Sequence, residues 1–173
     1  MADESAPVKL ARQSLEHYLA RGGYLAAPED PPAELRGQAG AFVSLKKRGQ
    51  LRGCIGTFGP TQPTIAAEII QNAVSAGTQD PRFPPVTTAE LPEIDVSVDI
   101  LSTPERVNSL DDLDPQRYGV IVRHGRRSGL LLPDLEGVDT VAEQVGIAMQ
   151  KAGIRPEEEI ELYRFSVTRY GKE

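Results

Sequence analysis

An α+β domain with a mainly antiparallel sheet is the fold class this sequence predicts. Short apolar runs are joined by turn-length polar segments, and amphipathic helical patterns are inserted between groups of those runs. The chain has 173 residues with 39% hydrophobic content. That is enough to bury a core and fits one compact domain, or one domain with a small lobe.

The elements follow in order. Leu10, Ala11, Leu15, Tyr18 and Leu19 recur at three- and four-residue spacing, which predicts a helix over 8–21 closed by Gly22-Gly23, with a disordered tail over 1–7 before it. His17 lies beside that stripe as a packed or surface residue. The proline-rich stretch 26–40 is a loop. Residues 41–45 read as a strand, 46–50 as a solvated hairpin turn and 51–56 as its partner strand. After Gly59-Pro60, Thr61 is the expected cap of a helix with Pro63 in its first turn and a stripe of isoleucines and alanines running to about Ala76. The segment 80–85 is stiffened by three prolines.

Ile94, Val96, Val98 and Ile100 alternate with Asp95, Ser97 and Asp99, which predicts a strand with one wet face. Residues 111–115 form an acidic turn. Strands over 118–123 and 129–132 are joined by His124-Gly125-Arg126-Arg127-Ser128. Thr140 and Glu143 form a capping box opening a helix to Ala152, closed by Gly153, and Tyr163, Phe165 and Val167 mark a last strand.

Composition excludes several function classes. With 19 basic and 25 acidic residues and a net charge of -6, the chain lacks the overall positive field that drives non-specific nucleic-acid binding. One cysteine rules out an internal disulfide framework. The acidic N-terminus is unlike a secretory signal and no apolar run reaches a transmembrane length, so the expectation is a cytoplasmic protein without a membrane partner. No Walker loop, dinucleotide fingerprint or Cys/His cluster is present; no cofactor and no metal are expected.

The sharpest chemical signal is Leu51-Arg52-Gly53-Cys54-Ile55-Gly56. In an extended strand Arg52 and Cys54 share one face while Leu51 and Ile55 share the other, which places a guanidinium beside the only thiol. Such a charge favours thiolate, and Gly53 and Gly56 leave room for a ligand or a backbone. The alternative is a buried cysteine on a strand whose glycines serve packing. Arg82, with Asp80 in the rigid loop, is either an anion clamp or half of a structural ion pair. His124 is the one plausible imidazole base, and Arg126 and Arg127 could meet phosphate or simply keep a turn solvated.

The hexapeptide, continued as Thr57-Phe58, resembles the signature of the AMMECR domain family. Val8-Lys9-Leu10-Ala11-Arg12, Asp80-Pro81-Arg82-Phe83, Val96-Ser97-Val98 before Pro104-Glu105, Tyr118-Gly119-Val120-Ile121-Val122, Gly129-Leu130-Leu131-Leu132-Pro133 and Lys151-Ala152-Gly153 fall in the family's order. The likeness runs from about Val8 onward as a single domain over 8–173, and the chain departs from many members in having no Trp and one Cys. It implies the same α+β fold with a smaller sub-domain, and a place in a three-part system with a MEMO-type protein and a radical-SAM protein. No biochemical activity is established by it. The reading is an enzyme or enzyme component of a modification pathway, a cysteine-dependent transferase for example, with Cys54 as reactive thiol. The alternative is a non-catalytic binding or scaffold module for RNA, a small molecule or a protein partner.

Overall fold

The computed structural model describes residues 4–171. It is an α+β fold with two four-stranded antiparallel sheets, one in each of two compact units. Among the described residues the first unit spans 4–100 and 168–171, the second 101–167.

In the first unit, helix α1 (Ala6–Arg21) and helix α2 (Ile65–Thr78) line one face of a sheet made of β1 (Ala41–Lys47), β2 (Gln50–Gly56), β3 (Ile94–Leu101) and β8 (Val167–Gly171), in the order β2-β1-β3-β8. α1 begins two residues before the expected start. Ser5 is its extended N-cap and Pro7 sits in the first turn, where a missing N–H costs nothing. The expected tail is therefore helix from Ala6 onward; residues 1–3 lie outside the described part. The apolar positions of both helices meet Val43, Leu45, Val96 and Val98 in one core with Leu15, Ile69 and Ala73. Each fully buried Val, Leu or Ile there contributes roughly 1.5–3 kcal/mol.

The β1–β2 hairpin turns on Arg48 and Gly49, both at positive φ (52° and 78°), the mirror turn that matches strand twist. α2 is capped by Thr64, whose hydroxyl accepts from Ala67 N, and not by Thr61 as expected. Thr61 is instead bound to Glu68 of the helix. The wet face expected of β3 is corrected at Asp99, only 7% exposed, because Arg169 from β8 covers it with two hydrogen bonds of 2.7 and 2.9 Å.

In the second unit β4 (Glu105–Val107), β5 (Gly119–His124), β6 (Arg127–Leu131) and β7 (Glu161–Phe165) lie in the order β4-β7-β5-β6. Helix α3 (Val141–Ala152) packs Val145 and Ala148 onto Val120, Val122 and Leu131. Thr140 caps it and Gly153 ends it at φ 70°, as the sequence predicts. The last expected strand is divided at Ser166 into β7 and β8, which serve different sheets. Among the described residues no helix is long and apolar enough to cross a membrane, and no group of three or more His, Cys, Asp or Glu side chains is placed to hold a metal ion.

Candidate functional site

The site is built on the sheet face of the first unit that the helices do not cover. Residues paired across antiparallel strands share a face, so the register puts Cys54, Ser44 and Ser97 in one row and Gly56, Phe42 and Asp99 in the next. The opposite parity holds Ile55, Val43 and Val98, which belong to the core. Cys54 is half-buried.

A bulge decides what surrounds the thiol. Leu45 pairs with Gly53 but Lys46 pairs with Leu51, so Arg52 is the extra residue. The simple alternation expected for this strand is thereby broken: Leu51 moves to the parity of Cys54. Arg52 turns to the segment after α2, where its Nε donates to Glu90 at 3.0 Å and its Nη1 to the Pro84 carbonyl at 2.8 Å. Lys47 also reaches Glu90, at 3.1 Å. Arg52 hydrogen bonding, first among several donors, lowers the Glu90 pKa to about 2. Arg52 is therefore a tie between β2 and the segment carrying Glu90, which corrects its expected role as activator of Cys54.

Asp80 and Arg82 take the place beside the thiol. Cys54 N donates to Asp80 Oδ2 at 3.0 Å, and Arg82 Nη2 donates to the Cys54 carbonyl at 3.4 Å and to Asp80 Oδ2 at 2.7 Å. β2 is an edge strand, so this side-chain pair satisfies a backbone N–H and C=O that no neighbouring strand reaches. Asp80 is 4% exposed, and the Arg82 hydrogen bond holds its carboxyl well below the usual carboxylate range. Of the two readings of the rigid loop, the geometry is that of the ion pair, with the guanidinium also 5.4 Å from the centre of the Phe83 ring.

Burial pushes the Cys54 thiol up from its ordinary value. The Ser44 hydroxyl and the Arg82 charge act in the other direction but do not overcome it, and Asp99 and Asp80 add to the rise. Burial thus works against the thiolate form.

The room expected at the signature glycines is taken by the chain itself. A methyl group on Gly53 would stand 2.1 Å from the Ala76 carbonyl oxygen of α2, and one on Gly56 would stand 2.2 Å from the Phe42 ring. Both glycines let the chain's own atoms approach, the packing side of the alternative that the sequence left open.

His124, Arg126 and Arg127 belong to the second unit. They sit on the β5–β6 hairpin, whose two-residue turn has Gly125 at φ 61°. Glu158 gathers the hairpin's charge: His124 Nε2 lies 3.1 Å from it, Arg127 is ion-paired to it, and Arg155 approaches at 3.2 Å. Its pKa is lowered to about 2, chiefly by the Arg127 hydrogen bond. His124 Nδ1 also donates to the Glu159 carbonyl, so both ring nitrogens are engaged. The expected general base and the expected phosphate contact at Arg127 are both drawn into one internal clasp. Arg126 is exposed.

Sequence reasoning missed Ser44, Asp99 with Arg169, and Glu68. Glu68 left a readable signal, being the only charged residue in the α2 sequence and lying within its apolar stripe. Arg169 left none, since only sheet pairing brings it to Asp99.

Comparison with known proteins places these observations in a family. The AMMECR1 family profile matches residues 8–170. A protein from Thermotoga maritima is 55% identical over 98% of this chain and 99% of its own length. A Clostridium acetobutylicum protein, CA_C1420, is 53% identical over 94% of this chain, which spans only 35% of that relative. The crystal structure of the uncharacterised protein PH0010 from Pyrococcus horikoshii superposes with a TM-score of 0.87 at 34% identity, covering 96% of this chain and 90% of that one. With the fold and nearly the whole length in common, this chain belongs to the AMMECR1 family.

Proposed function

We propose that this protein is a cytoplasmic, non-catalytic binding component of a modification pathway, working beside MEMO-type and radical-SAM proteins. The observation that carries this reading is the state of Cys54: burial raises its pKa, Arg52 is held by Glu90, and Arg82 is already paired with Asp80. A half-buried thiol whose surroundings disfavour the thiolate is a poor nucleophile and an ordinary packing group. The Clostridium relative, in which the matched region is 35% of a longer chain, supports a domain that works next to further polypeptide. The net charge of -6 and the Glu158 clasp over the basic hairpin favour a protein partner over RNA.

The test combines the purified chain with the MEMO-type and radical-SAM proteins of the same organism. A stable complex by size-exclusion chromatography, and full pathway activity with Cys54→Ala, are the expected results. Loss of activity in Cys54→Ala with the complex intact contradicts the reading. That outcome would favour the second one, a cysteine nucleophile assisted by Ser44 and Arg82, the two groups that lower the thiol pKa.

A further inference from the structure

We propose that the Asp80–Arg82 turn is a strand mimic, which shuts the outer edge of β2 against antiparallel pairing with β2 of a second copy of this chain. An edge strand presents a row of N–H and C=O groups that another chain can pair with, and proteins blunt such edges with short length, charge, proline or bulges. At seven residues β2 is the longest edge strand of the two sheets, against three for β4 and five each for β6 and β8.

The usual devices protect only its first half. Arg52 is bulged out and tied to Glu90 at 3.0 Å and to the Pro84 and Pro85 carbonyls at 2.8 and 3.3 Å. Beyond it, Gly53-Cys54-Ile55-Gly56 has neither charge nor proline, and glycine-rich strands of this kind specify their pairing weakly. A two-fold axis at Cys54 would set Gly53 opposite the second copy's Ile55 and Arg52 opposite its Gly56, with no like charges facing each other. The strand is thus complementary to itself.

At Cys54 the turn supplies what a neighbouring strand would. In a hydrogen-bonded pair of an antiparallel ladder, each residue receives one acceptor and one donor from its partner. Here the acceptor is Asp80 Oδ2, 3.0 Å from Cys54 N, and the donor is Arg82 Nη2, 3.4 Å from the Cys54 carbonyl. The turn is locked in this position. Asp80 Oδ1 accepts from Arg82 N and Nε at 3.1 and 3.0 Å, Phe83 N donates to the Asp80 carbonyl at 3.2 Å, and Val86 N donates to the Gly77 carbonyl of α2 at 2.7 Å. Asp80 is a buried carboxylate whose printed bonds all go to Cys54 and Arg82. The cover does not hand the edge on to another chain: Pro81, Pro84 and Pro85 have no N–H, so residues 80–85 cannot serve as the next strand. On β6 a lighter version suffices, with Lys151 Nζ donating to the Leu130 carbonyl at 3.3 Å.

Sedimentation velocity over a dilution series compares wild type, Asp80→Ala, Arg82→Ala and Asn72→Ala. Asn72 is the control, a buried side chain of the same unit that donates to the Ala41 carbonyl at 2.9 Å and closes no strand edge. The expected result is a monomer for wild type and Asn72→Ala at every concentration, and a shift of Asp80→Ala to twice that mass as concentration rises. Its Cys54 amide should exchange fast when dilute and slow down as the dimer forms. Arg82→Ala, which keeps the acceptor for Cys54 N, should associate more weakly, and it carries the test should Asp80→Ala not fold. A folded Asp80→Ala that stays monomeric overturns the proposal, as does a monomeric Arg82→Ala where Asp80→Ala does not fold. Asn72→Ala associating as strongly as Asp80→Ala, or a wild type that dimerises with concentration-dependent protection of the Cys54 amide, overturns it equally.

Discussion

The two units solve one packing problem in the same way and then diverge. In each, a strand glycine lets a helix carbonyl come close: Gly53 under Ala76 in the first unit and Gly129 under Ala148 in the second, where a methyl group would stand 2.1 and 2.0 Å from the oxygen. In each, a second glycine lies under the ring of its cross-strand partner, Gly56 under Phe42 and Gly119 under Phe165. The first unit's glycine strand carries a thiol on an edge closed by Asp80 and Arg82, whereas the second unit's glycine strand leaves a basic hairpin clasped by Glu158. Glycines that recur in both units belong to packing. What distinguishes the signature strand is the polar apparatus around Cys54.

Substituting the paired glycines gives the largest expected effect. Gly53→Ala and Gly129→Ala should each lose about 3 kcal/mol in urea unfolding, the upper range for overpacking a close contact. A neutral Gly53→Ala beside a damaging Gly129→Ala would break the likeness and return Gly53 to a role in ligand binding.

Asp80→Ala comes next and should affect the first unit alone. Removing a buried acceptor strands the Cys54 N–H and uncouples Arg82, at a cost of about 2 kcal/mol. Hydrogen exchange at the Cys54 amide should accelerate while the amides of β5 keep their protection. Unchanged exchange at Cys54 would mean that the edge is not closed by this pair.

Acid should weaken one carboxylate tie in each unit over the same window. Glu90 and Glu158 both fall from an ordinary 4.5 to about 2. A carboxylate whose pKa is lowered by folding contributes stability that is complete above its unfolded value and lost as pH falls through the folded one. Stability should therefore be level from neutral pH to about 4.5 and decline toward pH 2. Glu90→Gln should flatten the decline for the first unit and Glu158→Gln for the second, followed by tyrosine and backbone signals. The smallest effect is expected at the exposed Arg126, where Arg126→Ala should change stability by no more than about 0.5 kcal/mol.

Much of this was readable from the sequence, because it depends on local pattern. The stripe from Leu10 to Leu19, the Thr140–Glu143 cap and the alternation of Ile94, Val96 and Val98 each define an element without help from distant residues. The site was less legible because pairing partners decide it. The bulge that turns Arg52 away from Cys54 exists only in the register with β1, and Asp99 reads as a wet carboxylate until Arg169 is brought against it. Glu158 lies far along the chain from the hairpin it neutralises, so the basic cluster looked open. The Asp80–Arg82 pair, by contrast, was foreseeable as one of two readings, since both partners sit in one proline-stiffened turn.

The pH dependence of iodoacetamide alkylation of the native protein reports whether burial keeps Cys54 from ionising. Cys54 is the only thiol, so the mass increase needs no mutant to assign it. The expected result is slow labelling with an apparent pKa above the roughly 8.5 of a free thiol, accelerating on denaturation. Fast labelling of the native protein with an apparent pKa below that value would contradict the account and make Cys54 an activated nucleophile.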